Sequence, residues 1–126
     1  MTAERLHFRN DPKLSYWDLN SYDRGPSVAL DPLQIYRAQQ VLTQESTYDW
    51  RMESLCMPNF GVLLTARSGD KIVRIALCFK CGQIGVFEGA DGGGKRINSK
   101  DEFAQTGFLL ALATQLFPND PELGMK

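Results

Sequence analysis

Three cysteines and a single histidine among 126 residues leave little material for metal or thiol chemistry. A structural zinc site takes four Cys or His ligands, and a zinc ribbon would show two C-x-x-C units. The chain has one such unit, Cys78-Phe79-Lys80-Cys81 followed by Gly82, with Cys56 upstream and His7 in the N-terminal segment. One histidine also starves nucleophile-base catalysis, and neither G-x-S-x-G nor H-E-x-x-H occurs. Hydrolase activity is therefore disfavoured. There is no basic run: 14 Lys and Arg are scattered against 15 Asp and Glu, for a net charge of −1. The electrostatic footprint of a nucleic-acid binder is missing. No apolar run reaches the roughly 18 residues of a membrane span. The first residues carry Glu4 and Arg5 and no apolar core, unlike a signal peptide. A cytoplasmic protein is the expectation, although a chain trimmed of an export signal would read the same way.

What is present is the composition of an ordinary globular protein, with 43% hydrophobic and 23% charged residues. The length suits one domain, 1–126, able to bury a core without covalent staples. Residues 1–27 are polar and aromatic and end in Gly25-Pro26, which breaks regular structure. They read as an irregular arm with a short strand at Leu6–Phe8. Its aromatics Tyr16, Trp17 and Tyr22 are candidate partner-binding residues. The plainer and favoured reading is that they pin the arm to the domain's own core, since apolar side chains seek burial first.

Asp31-Pro32-Leu33-Gln34 opens a helix over 32–45: Asp31 can cap free amides, Pro32 suits the first helical position, and Gln34 completes a capping box. Ile35, Ala38 and Leu42, with Leu33 and Val41 beside them, supply its apolar stripe. Beyond Cys56 the period changes. Phe60–Arg67 and Lys71–Phe79 read as strands joined at Ser68-Gly69-Asp70, and Gly82 allows a reversal into a third strand, Gln83–Glu88. In the second strand Val73, Ile75, Leu77 and Phe79 share a core face, while Ile72, Arg74, Ala76, Cys78 and Lys80 share a mixed one. A loop over Gly89–Gly94 leads to a second capping box, Ser99-x-x-Glu102, and a helix over 100–116 buried along Phe103, Leu109, Leu110, Leu112, Ala113, Leu116 and Phe117, stopped by Pro118. Hairpins in place of crossovers predict an α+β domain: an antiparallel meander of about three or more strands, with an N-terminal and a C-terminal helix packed as a second layer.

The cysteines admit three chemistries. Zinc would draw on Cys56, Cys78 and Cys81, with His7 as the fourth ligand. A redox pair is weakened because Cys78 and Cys81 lie at a strand end, without the helix N-terminus that activates a thiol. A structural disulfide would join Cys56 to one of the pair. Against all three stands plain packing, because a free cysteine behaves as a small hydrophobe. Pairing through the turn at 68–70 brings Cys56 toward Cys78 and Cys81. Gly89 through Lys95 match the spacing of a phosphate-binding loop, but Arg96 replaces the required Ser or Thr and the helix starts late. Nucleotide binding is rejected on those grounds.

Leu55-Cys56-Met57-Pro58, then Leu77-Cys78-Phe79-Lys80-Cys81, then a helix closing in Leu116-Phe117-Pro118, resemble a diffuse group of small uncharacterised bacterial proteins. These share a cysteine, a C-F-x-C strand end and a C-terminal helix ending in L-F-P. The resemblance covers roughly 33–118, brings no activity, and implies that the three cysteines form one cluster. In that group a basic residue and His often follow the first cysteine; Pro58-Asn59-Phe60 stand there in this chain.

The sequence thus points to a non-catalytic binding or interaction protein, of the kind that inhibits or confers immunity by binding another bacterial protein. The rival is a thiol-based metal-binding or redox protein using Cys56, Cys78 and Cys81. No cofactor is expected in the first reading; zinc is the one implied by the second. Another protein is the expected partner, with no nucleic acid and no membrane.

Overall fold

The computed structural model describes residues 1–16, 18–43, 48–49, 59–79, 83–88, 94–99 and 104–120. The fold is α+β around an antiparallel meander. Strands β1 (Thr2–Phe8), β2 (Tyr22–Arg24) and β3 (Val28–Ala29) precede helix α1 (Pro32–Thr43). There follow β4 (Tyr48–Asp49), β5 (Val62–Ser68), β6 (Lys71–Cys78), β7 (Gln83–Glu88), β8 (Gly94–Ser99) and helix α2 (Ala104–Leu116). The sheet runs β2-β1-β5-β6-β7-β8-β4, with β3 also paired to β1. Every pairing is antiparallel.

The local signals act as their chemistry demands. At the start of α1 the Gln34 amide donates to Asp31 Oδ1 (2.7 Å) and the Asp31 amide to Gln34 Oε1 (3.0 Å), a reciprocal capping box. The β5–β6 hairpin closes through two residues, Gly69 and Asp70, with Gly69 at φ +60°. A positive φ at the first loop residue alone is the pattern of a II′ turn, which glycine adopts without strain.

Three expectations need correction. The segment 1–27 is not an irregular arm: β1 lies inside the sheet, between β5 and the β2–β3 edge. Residues 94–99 form β8, paired to β7 from Gln83↔Asn98 to Phe87↔Gly94, where a loop and helix cap were expected. Ser99 is thus the last residue of β8, in register with Tyr48 of β4. Leu33 is 57% exposed instead of joining the apolar stripe of α1. The remainder of the expected Gly89–Gly94 loop, and the start of the helix expected from 100, lie outside the described residues.

Alternation along β5 and β6 sends neighbours to opposite faces. On one face Ala3, Val62, Leu64, Leu77 and Ile84 cluster with Leu30, with Ala38 of α1, and with Leu109, Leu112 and Ala113 of α2. On the other, Leu6, Leu63, Ala76, Cys78 and Phe87 cluster with Phe60, Leu19 and Tyr22. The face read from sequence as mixed is therefore a second core. The chain between β1 and β2 supplies part of it, through Leu19 in a 3-10 turn (Leu19–Ser21) whose Asp18 cap accepts from the Asn20 amide.

Candidate functional site

The second core is where two independent sets of sequence candidates meet. Tyr22, from the aromatic set, and Cys78, from the thiol set, occupy the same cluster. Five rings run through this region in succession. Tyr16 stacks on Phe8 at 4.0 Å, and Phe8 meets Tyr22 edge-on at 5.4 Å. Tyr22 lies 6.1 Å from Phe60, and Phe60 meets Phe87 edge-on at 6.2 Å. Such geometries add to the area the rings bury.

Tyr22 is 2% exposed, so its ring is a core pin and offers no surface to a partner. Its hydroxyl donates to the Tyr16 carbonyl (2.8 Å) and accepts from the Phe60 amide (3.3 Å). Burial pushes its pKa up to about 12, against the lowering effect of the Phe60 bond. The phenol therefore stays protonated at neutral pH and is no proton acceptor. Tyr16 is half-buried. Trp17 lies outside the described residues.

Cys78 is a free thiol, 3% exposed, among apolar neighbours. Cys56 and Cys81 lie outside the described residues, as does the expected contact of Cys56 with the pair. His7 is exposed, and its strand alternation sets it on the opposite side of the sheet from Leu6, Phe8 and Cys78. That placement separates it from the thiol it would join in a four-ligand site. Among the described residues no three His, Cys, Asp or Glu side chains gather to hold a metal ion, and no helix is long and apolar enough to cross a membrane.

Two surface features escaped the sequence reading. Leu33 and Tyr36 on α1 are 57% and 58% exposed, and Gln40 Nε2 donates to the Tyr36 hydroxyl at 2.9 Å. The signal was available: at about 100° per residue, positions 33, 36 and 40 fall together, opposite Ile35, Ala38 and Leu42. The other is a shallow open groove of about 590 Å³ along β2, lined by Arg9, Leu19, Asn20, Tyr22, Asp23 and Arg24. Arg9 Nε pairs with Asp23 Oδ1 at 3.1 Å, both exposed. These residues converge only through the β1–β2 pairing, so no linear motif marks them.

Comparison of the chain with protein-family models, with curated proteins and with solved structures finds no match.

Proposed function

We propose that the chain is a non-catalytic protein-binding domain, of the inhibitor or immunity kind, that engages another bacterial protein through the outward face of α1. The observation that carries this is the exposure of Leu33 and Tyr36 side by side on that face. Large apolar side chains normally go inside, and tyrosine is among the residues that dominate protein interfaces. The bond from Gln40 holds the Tyr36 hydroxyl, so the ring loses less freedom on binding. In this reading the domain has two layers. Ile35, Ala38, Val41 and Leu42 turn α1 toward the sheet, leaving its other face to a partner. The bacterial setting rests on the resemblance carried by the cysteine motifs and the L-F-P helix end. For the rival thiol function, the burial of Cys78 among Ala76, Leu63 and Phe87 favours a packing role.

A photo-crosslinking residue at position 36, with position 70 in the β5–β6 turn as control, tests this in the native host cell. The expected result is one protein crosslinked from position 36 only. In vitro, that protein should then bind Tyr36→Ala at least about tenfold more weakly. Equal crosslinking from both positions, or unchanged affinity for the Leu33→Ala, Tyr36→Ala double variant, would overturn the reading.

A further inference from the structure

We propose that the outer edge of β2 is a second binding site, separate from the α1 face, which takes an extended acidic peptide as an added strand. The ladder between β1 and β2 dictates which backbone groups are free. The Gly25 amide donates to the Arg5 carbonyl and the Arg9 amide to the Ser21 carbonyl, at 2.9 and 3.1 Å. In an antiparallel pair the bonded positions alternate, so His7 and Asp23 form the bonded pair between them. Leu6↔Arg24 and Phe8↔Tyr22 are then non-bonded pairs, whose backbone groups point away from each other. Two further bonds agree. The Leu6 amide turns to β5, donating to the Gly61 carbonyl at 2.8 Å, and the Tyr22 amide turns outward to the Leu19 carbonyl. Of the outward-pointing groups the Tyr22 carbonyl is covered, the residue being 2% exposed, so what the outer edge offers among the described residues is the amide and carbonyl of the exposed Arg24.

The groove runs along these groups. Its lining residues include two cations, Arg9 and Arg24, and one anion, Asp23. Asp23 is engaged by Arg9, whereas the exposed Arg24 side chain makes no bond among the described residues. Strand addition supplies main-chain bonds, and alternate side chains supply the selectivity. A peptide lying against Arg24 would present a carboxylate to its exposed guanidinium, a charge-assisted pairing.

The edge is also short. From β2 to β3 the register with β1 shifts by one residue, from Leu6↔Arg24 to Ala3↔Val28, so 25–27 holds a bulge containing Pro26. Charge, a bulge and proline are what sheets use to refuse unwanted strands. The same features leave a brief complementary acidic segment as the strand this edge admits. A second copy of the chain would instead bring two more guanidiniums to the groove.

The test uses the full chain and a fluorescently labelled peptide of alternating Glu and Val, about eight residues long so as to overrun the edge at both ends. Saturable binding is expected at low salt, at least about tenfold weaker for Arg24→Glu and absent for the matching Lys-Val peptide. Arg24→Gln, which removes the charge without reversing it, should fall between. The Arg24 amide, which makes no bond among the described residues, should gain protection from hydrogen exchange when the peptide binds. No binding, binding indifferent to Arg24, equal binding of the Lys-Val peptide or an unprotected Arg24 amide would each overturn the proposal. Protection that rises with protein concentration without peptide would give the edge to a second copy and overturn it too.

Discussion

Arg5 in β1 and Asp120 beyond the end of α2 are joined by two bonds, from Nε to Oδ2 at 2.6 Å and from Nη2 to Oδ1 at 3.4 Å. Their side chains are 7% and 18% exposed, and Arg5 Nη1 also donates to the Gly61 carbonyl. The pair thus ties the first strand, the entry to β5 and the chain after α2 into one contact. A buried cation is costly unless paired, so removing one partner hurts more than removing both. Asp120→Ala should lower stability by about 3 kcal/mol, toward the low end of such losses because Asp120 keeps some contact with water. Denaturant unfolding measures this. The Arg5→Met, Asp120→Leu double variant should recover most of the loss, and a double variant no more stable than Asp120→Ala would show that the pair adds net stability.

Tyr22 makes stability depend on alkaline pH. Its folded pKa of about 12 exceeds the ordinary 10.0, so the unfolded chain ionises first. Below pH 10 both states hold the proton; between 10 and 12 the unfolded state is favoured progressively, by on the order of 2 kcal/mol at the top of the range. Tyrosinate absorbance should show a late step that belongs to Tyr22. Tyr22→Phe should remove that late step, and a titration unchanged in Tyr22→Phe would refute the assignment.

Burial of Cys78 predicts slow chemistry. Thiol reagents should modify it in the native protein no faster than global unfolding allows, since the thiolate needs access. Cys78→Ser should cost about 1–3 kcal/mol, by placing a hydroxyl among apolar neighbours. Mass analysis of the labelled peptide containing Cys78 gives the rate, and rapid native labelling would contradict its placement.

Gly85 sits where two rings close in. A Cβ built there would come within 2.8 Å of Phe87 and 2.9 Å of Phe60, both buried. Those rings cannot yield without disturbing their edge-on contact. Gly85→Ala should therefore destabilise by about 1–3 kcal/mol, the usual cost of overfilling a packed site. Thermal melts decide it, and an unchanged midpoint would mean that the rings shift freely.

Signals that act over a few residues were legible along the chain. Asp31 and Gln34 cap α1 because the two groups are three residues apart, and Gly69 turns the hairpin because its own backbone permits it. Strands β5, β6 and β7 announce themselves by branched and apolar residues. Contacts across the sequence decided the rest. Glu4 and Arg5 make β1 look like solvent-facing chain, and partners distant in sequence, Asp120 at 115 residues and the Gly61 carbonyl, let Arg5 go inside. Strand β8, Gly-Lys-Arg-Ile-Asn-Ser, carries one branched apolar residue, and it exists because β7 offers it an edge. The buried state of Tyr22 and the second core around Cys78 likewise depend on the first strand joining the sheet. Local propensity is a preference of a few tenths of a kcal/mol per residue, whereas burial of a whole side chain is worth roughly 1.5–3 kcal/mol. Where the two disagreed, as at β1 and β8, tertiary pairing prevailed.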